Sequence, residues 1–308
     1  METFSFSVFL GSDIMKCNLC PRCCNVDRDN GEIGFCLAPG EMVIARYSLH
    51  KWEEPVISGE VGSGTIFFSY CNLRCLFCQN YEISEYHKGR VVTVEEFCDI
   101  CLDLEKNGAL NINLVTPTIW VDKIIKGLEL AKEKGLKIPV VYNSSGYERV
   151  ETIKKFEGYV DIYLPDFKYY SNELSWKFSH CKDYFEIADK AIEEMVRQVG
   201  DIVIDDDGIM KRGVIVRHLL LPGHLEDSKG VIKYLYLKYQ DKIIFSIMNQ
   251  YTPVRECKYE ELNRVVREDE YDELINYAYD LGIRKAFIQE GESCKESFIP
   301  DFNQFRVI

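Results

Sequence analysis

Histidine is scarce in this chain, five in 308 residues. His50, His87, His180 and His224 stand alone in sequence, so the His-and-carboxylate ligand set of a zinc hydrolase is missing. No stretch approaches the ~18 consecutive apolar residues that suggest a membrane span. Basic residues are outnumbered, 37 Lys and Arg against 50 Asp and Glu, for a net charge of −13. That balance argues against general affinity for nucleic acid or anionic membranes. Met1 to Leu10 lacks a cationic start and a long apolar core, so it is not expected to be a secretory signal. No internal repeat or low-complexity tract is present. Asp205-Asp206-Asp207-Gly208 is an acidic run that reads as a solvated turn.

Cysteine, by contrast, is abundant: thirteen residues, an odd number, in a long chain that is not expected to be exported. Clustered cysteines in that setting read as metal ligands before disulfides. The expectation is a cytoplasmic, oxygen-sensitive protein. Cys71, Cys75 and Cys78 form the tightest group, in Tyr70-Cys71-Asn72-Leu73-Arg74-Cys75-Leu76-Phe77-Cys78-Gln79-Asn80. Iron–sulfur clusters are commonly held by four cysteine thiolates. Three thiolates at C-x3-C-x2-C spacing can hold three irons of a cubane and leave the fourth open. The competing reading is three core cysteines or part of a zinc knuckle. Zinc usually takes four ligands, and Cys98, Cys101, Cys181, Cys257 and Cys294 are scattered.

Residues 1–60 hold five cysteines, several glycines and little periodicity. Residues 61–308 alternate strand-like and helical runs. Strands are expected at Thr65–Tyr70, Asn111–Val115, Lys137–Tyr142, Val160–Leu164, Gly213–Arg217, Lys242–Ile247 and Arg284–Gln289. Helices are expected at Thr93–Asn107, from Val121 through Leu128 to Gly135, and at Tyr147–Phe156, Phe185–Val199, Leu225–Tyr239 and Glu270–Leu281. Thr93 and Glu96 make a capping box. Phe97, Ile100, Cys101 and Leu104 share one helical face. The short apolar strands suit a parallel sheet, either doubly wound or curved into a barrel. Six βα units and a last strand are too few for a complete eight-unit barrel.

At the triplet, with an aromatic residue (Phe77) before its third cysteine, the chain resembles the radical S-adenosylmethionine (SAM) superfamily. Gly64-Thr65-Ile66-Phe67-Phe68 and Cys78-Gln79-Asn80 resemble the branch around pyruvate formate-lyase activating enzymes, in particular PflX-like proteins. The resemblance runs from Cys17 to about Gly291. It implies an α/β fold: a partial (β/α)6 TIM-type barrel, the radical SAM core at 61–308, with a small cysteine-rich metal-binding lobe at 1–60. It implies a [4Fe–4S] cluster on Cys71, Cys75 and Cys78 whose open iron binds SAM. Reductive cleavage then yields a 5′-deoxyadenosyl radical that takes hydrogen from a substrate, a glycyl-radical-enzyme-like protein being one choice. A modifier of a peptide or small molecule is the alternative, and an iron–sulfur electron carrier without SAM chemistry is another.

The implied SAM contacts follow successive strands. Asn143-Ser144-Ser145-Gly146-Tyr147 resembles a SAM-contacting loop, giving Asn143 and Ser145. Leu164-Pro165-Asp166-Phe167-Lys168 resembles a strand end with an Asp-x-Lys pair beside SAM, giving Asp166 and Lys168. Arg217-His218-Leu219-Leu220-Leu221-Pro222-Gly223 resembles a segment approaching the ribose, giving Arg217. Phe77 is the position that packs on adenine. Leu114-Val115-Thr116-Pro117-Thr118 replaces the usual Gly-Gly-Glu, leaving Thr116 to receive the methionyl ammonium. Thr65 stands where activases carry a Gly-Pro-Gly-x-Arg approach. The implied electron donor is reduced flavodoxin or ferredoxin, with no nucleic-acid or membrane partner.

Cys17, Cys20, Cys24 and Cys36 match a C-x2-C-P-R-x-C…G-x-C pattern of PflX-like proteins, with Cys23 as the extra thiol. Four such thiolates suit zinc or a second iron–sulfur cluster; silent thiols or a regulatory disulfide are the alternative. His224 lies on a loop expected to face the site, Tyr251 and Arg255 near a substrate mouth, and Cys101 in the core. His218 should point opposite to Arg217.

Overall fold

A computed structural model describes residues 16–289 and 299–308; Met1 to Leu10, Gly291 and Cys294 lie outside the described residues. Its strands are β1 (Val43–His50), β2 (Ser63–Phe68), β3 (Arg90–Val91), β4 (Ile112–Val115), β5 (Val140–Ser144), β6 (Ile162–Pro165), β7 (Val203–Ile204), β8 (Met210–Leu219), β9 (Ile244–Met248), β10 (Ala286–Ile288) and β11 (Arg306–Val307). Its α-helices are α1 (Pro55–Ser58), α2 (Tyr81–Ser84), α3 (Val94–Lys106), α4 (Val121–Glu133), α5 (Val150–Lys155), α6 (Asn172–Ser179), α7 (Tyr184–Val199), α8 (Leu225–Tyr239) and α9 (Glu268–Leu281).

The sheet runs β10-β9-β8-β6-β5-β4-β2-β1-β11. From β2 to β10 every neighbouring pair is parallel, and spatial order follows chain order. A doubly wound sheet reverses direction at a switch point; this one does not, which makes it a partial barrel wound one way. β1 adds antiparallel to β2, so residues 43–50, on the lobe side of the residue-60 boundary, are hydrogen-bonded into the same sheet.

Along each strand the side chains alternate between two environments, as the pleat requires. Val140, Tyr142, Tyr163, Val216 and Phe245 pack outward among the helices. Val141, Ile162, Leu164, Ile215 and Ile244 face inward and, with Ile57, make a separate apolar floor. One or two positions further along the inward face stand Asn143, Asp166, Arg217 and Ser246. The barrel interior therefore changes from apolar to polar toward the strands' C-terminal ends.

Local rules explain most element bounds. The α3 capping box forms: Glu96 N–H donates to Thr93 Oγ1 at 3.1 Å, and Thr93 N–H to Glu96 Oε2 at 2.9 Å. α3 packs on α4 at Gly127, where a Cβ would meet Phe97 Cδ1 at 2.3 Å. The acidic run is the turn between β7 and β8: Asp207 and Ile209 N–H groups donate to Asp205 Oδ1, and Gly208 takes φ 78°. No helix among the described residues is long and apolar enough to cross a membrane.

Glu270 pins the loop after β8 to α9. It accepts from Arg264 at 2.7 and 2.8 Å, from Arg267 N–H at 3.0 Å and from Gly223 N–H at 3.0 Å. The Arg264 bonds are the main cause that pulls its carboxyl from 4.5 down to about 2. A depressed carboxylate stabilises the fold above its unfolded value and loses that contribution as pH falls toward the folded one. Glu270→Gln is expected to lower stability by roughly 2–3 kcal/mol at neutral pH, each tenfold change in proton affinity being worth ~1.4 kcal/mol. Denaturant unfolding should show the gap to the parent chain narrowing as pH drops from about 5 toward about 3.

Candidate active site

The loop leaving β2 carries the cysteine triplet. Cys75 is buried, and Cys71 and Cys78 are partly so. Each sulfur accepts a hydrogen bond: Cys71 from Leu73 N–H at 3.4 Å, Cys75 from Ser179 Oγ at 3.0 Å, Cys78 from Ser84 Oγ at 3.4 Å. Burial pushes all three thiols up; neighbouring sulfurs add to it at Cys71 and Cys75 and Glu85 at Cys78, while the Lys168 ammonium works the other way at each. Three thiolates crowded in this way need cations among them. Among the described residues no three Cys, His, Asp or Glu side chains converge on a single metal ion, in the triplet or in the lobe.

Beside the triplet, a cavity of about 330 Å³ opens over the C-terminal ends of the strands. Cys75, Phe77 and Cys78 form one wall, and Asn143, Asp166, Lys168 and Arg217 another. Phe77 is held on three sides by Tyr169, Phe178 and Tyr251, with centroids 6.1–6.5 Å away. Arg217 is the hub of the polar wall: Nε donates to Asp166 Oδ1 at 2.9 Å, one terminal nitrogen to Glu53 Oε2 at 3.3 Å, the other to Asn143 Oδ1 at 2.6 Å. A guanidinium has five N–H donors, so two remain for a ligand. Lys168 Nζ bonds Asp166 Oδ2 at 2.5 Å. Burial alone would raise the Asp166 carboxyl, but Lys168 and Arg217 together hold it below the usual range.

Thr116 and Ser145 do not line the cavity. Thr116 ends β4 with φ 61°, a left-handed backbone rare for a β-branched residue, and its N–H donates to Asn143 O at 2.8 Å. The Ser145 carbonyl accepts from Tyr184 Oη at 2.7 Å. Between them and Asp166, Gly146 adopts φ 75°, and a Cβ there would sit 2.2 Å from the Asp166 carbonyl oxygen. Gly146→Ala is expected to cost more than about 2 kcal/mol, the left-handed strain of roughly 1–2 kcal/mol plus a backbone clash. Gly158→Ala is the control, with φ 81° and nothing within 4 Å. The difference between the two melting temperatures measures the clash.

His218 points away from the cavity as its neighbour's position demands, its Nδ1 2.7 Å from Phe167 O; burial drops its pKa to about 4. His224 does not reach the cavity: it packs on Phe178 and lies 3.7 Å from Glu261. Tyr251 is buried, its hydroxyl on Leu262 O, and supports Phe77. Arg255 pairs with Glu85 and opens onto a second cavity with Arg74, His180 and Lys258.

In the lobe, Cys20 and Cys36 are buried and within electrostatic reach of each other and of Cys17; Cys36 also feels Cys24. Burial lifts Cys20 to about 12. Cys23 is exposed at φ 43°, with Arg149 donating to its sulfur at 3.8 Å. Arg22 ties lobe to loop: it donates to Asn72 O and Ser179 O, each at 3.0 Å, and stacks on Phe35 at 3.8 Å.

Trp52, Glu53 and Glu54, on the link from β1 to α1, line the cavity and were not among the expected site residues; His50, which ends β1, lines it too. Glu53 also accepts from Asn113 Nδ2 at 3.1 Å and Asn143 Nδ2 at 3.4 Å. The available signal was polar residues (Asn113, Asn143, Arg217, Ser246) at inward positions of otherwise apolar strands, which call for a polar partner inside the barrel.

A family model described as the Radical SAM superfamily matches residues 65–234. An uncharacterised protein of Methanocaldococcus jannaschii, MJ0674, is 32% identical over 88% of this chain and 77% of its own length. Another protein of that organism, named as a candidate glycyl-radical enzyme activating enzyme, is 36% identical over 30% of this chain and 38% of its own. Among solved structures, a radical SAM methyltransferase from Sphaerobacter thermophilus superposes with TM-score 0.51 at 15% identity, over 74% of this chain and 66% of its own.

Proposed function

Since the chain belongs to the radical SAM superfamily, we propose that Cys71, Cys75 and Cys78 hold its [4Fe–4S] cluster and that the adjoining cavity binds SAM and an organic hydrogen donor. Membership implies an enzyme that uses the two cofactors together. The observation that carries the assignment is the juxtaposition of the triplet with a polar cavity that Cys75 and Cys78 themselves line. The donor set suits a cluster: three soft thiolates, one buried and two partly so, each with a hydrogen-bond donor, in a loop with no fourth cysteine. When bound, the reduced cluster and SAM supply a 5′-deoxyadenosyl radical.

The chain's own residues bind, orient and shield. Lys168 places positive charge between the sulfurs and Asp166, where it steadies the thiolates and faces an incoming carboxylate. Arg217 offers its two spare N–H donors to ribose or carboxylate oxygens. Asn143 and Asp166 fix that guanidinium so that little is lost on binding. Phe77, clamped by three aromatic rings, presents an apolar wall for adenine. The left-handed turn at Thr116 sets the carbonyls that would receive the methionyl ammonium. Ser145 supports this wall through Tyr184.

The likeness to the candidate activating enzyme supports a protein glycine as hydrogen donor. The confined cavity, with two further carboxylates at its inner end, supports a second reading: a peptide side chain or small molecule. Both count against an electron carrier without SAM chemistry. Enzymes of this superfamily need a reductant such as flavodoxin or ferredoxin. Arg74, inside the triplet, and nearby His180 and Lys258 support docking of such an acidic donor. In the lobe, Cys17, Cys20 and Cys24, each within electrostatic reach of Cys36, support a second metal, zinc or iron–sulfur, with Cys23 outside it. Free thiols throughout the described residues support a reducing, cytoplasmic and anaerobic setting. The test is anaerobic reconstitution with iron and sulfide, then dithionite and SAM, with 5′-deoxyadenosine as the readout. Its formation is expected; a fully loaded, reduced protein that neither binds nor cleaves SAM would overturn the assignment.

A further inference from the structure

The cavity is lined by one carboxylate more than it has fixed cations. Three carboxylates line the cavity, Asp166, Glu53 and Glu54, against two fixed cations, Lys168 and Arg217. Asp166 is paired by both cations, and Glu53 by Arg217 at 3.3 Å. Glu54 makes no direct ion pair among the described residues, though it lies in the field of the already shared Arg217 and the Ser246 hydroxyl bonds its carboxyl. Its residue is only 7% exposed, and its Oε2 atom has no hydrogen-bond partner at all. The Oδ1 atom of Asn113, which bonds Glu53 through its other amide atom, is fully buried and equally without a donor. A buried acceptor left unpaired costs about 1–3 kcal/mol, more if charged. Two such acceptors, one on the cavity-lining Glu54 and one on Asn113 behind Glu53, favour a ligand rich in donors and positive in charge. An ammonium fits: three donors, no acceptor, one positive charge.

We propose that Glu54, with Glu53 beside it, forms a subsite for a primary ammonium group of the substrate, beyond the SAM-binding wall. The substrate class is an aliphatic amine, free or on a peptide. The proposal rests on the radical SAM reading of the cavity, yet the two fail separately. SAM cleavage by the parent chain tests that reading; amine binding tests this one. Burial pushes the Glu54 carboxyl up while the subsite is empty, and a bound cation would draw it back down, so amine binding should be accompanied by proton release.

The experiment is calorimetric titration of the reconstituted, SAM-loaded enzyme with n-alkylammonium chlorides of two to six carbons and with the matching alkanols. Saturable amine binding with no alkanol binding is expected. Glu54→Gln should weaken the amine at least about tenfold, the loss of a charge-assisted bond worth ~1.5–3 kcal/mol. Equal binding of amine and alkanol overturns the proposal without recourse to any variant. So do unchanged amine affinity in folded Glu54→Gln, no saturable amine binding to the parent chain, and displacement of SAM by the amine. The last would assign Glu54 to the methionyl ammonium instead.

Discussion

Cys75→Ala is expected to abolish 5′-deoxyadenosine formation and to leave the reconstituted protein short of iron and sulfide. Cys75 is the most enclosed of the three thiols, and its sulfur is held by the Ser179 hydroxyl and lies within reach of the Lys168 charge. No neighbouring cysteine can replace it. Cys181 is buried with its thiol on the Ser175 carbonyl, and Cys257 lies on the second cavity. Losing an outer partner of a metal ligand already costs about 10–100-fold, so losing the ligand should cost more than ~100-fold in product formation. Cys101→Ala removes a thiol that is also buried, but from the core face of α3. It should retain iron and turnover, with only a packing loss of roughly 1 kcal/mol. Iron analysis, absorbance near the thiolate-to-iron charge-transfer bands and product yield together separate ligand loss from unfolding. Parallel loss in both variants would reduce the Cys75 effect to one of core packing.

Much of the barrel was legible because its signals are local. α8 begins and ends at the residues expected, and α3 differs from its expected span only by its caps. Lys137–Tyr142 became Val140–Ser144 because Pro139 has no N–H to give a ladder and is tolerated only ahead of the strand. β8 extends well before Gly213 since the Asp205–Gly208 turn folds Val203–Ile204 back on it. α6 escaped notice: Leu174, Trp176 and Phe178 alternate like a strand, and Trp176 is half exposed, so no helical stripe shows. It matters for the site, because its last residue is Ser179, the donor to Cys75. β1 escaped for another reason. Its burial depends on β2 on one side and β11 on the other, and that long-range pairing brings the following Glu53 and Glu54 into the barrel. The triplet stood out by its spacing, and the structure sets Cys75 and Cys78 at the cavity. The carboxylates that complete the cavity were not legible, because nothing within residues 50–55 says which interior they will enter.

Arg217→Met should be among the most destabilising single changes in the barrel. The guanidinium joins β8 to Asp166 beyond β6, to Asn143 on β5 and to Glu53 on the link from β1, with its side chain only 16% exposed. Met keeps most of the apolar volume but leaves Glu53 with no cation and Asp166 with Lys168 alone. Removing one partner of a buried ion pair typically costs about 3–5 kcal/mol, which for a chain of this size is a fall of roughly 6–10 °C in Tm. The pH dependence has a definite sign. In the parent chain Asp166 titrates below its ordinary value, so its stabilisation is present above that value and is lost as pH falls through the folded one. Without Arg217 the Glu53 and Asp166 carboxyls rise, and the variant binds protons on folding. Its deficit should therefore shrink as pH is lowered from about 8 to about 5. Arg217→Lys restores charge but not the fork, so it should recover part of the stability while SAM affinity stays weak. Arg217→Met combined with Glu53→Gln should be more stable than Arg217→Met alone, since the stranded charge is gone. If the single Met variant melts with the parent at pH 8, the three-way pairing does not hold the barrel together. If Lys restores SAM affinity in full, the spare N–H donors are not what binds it.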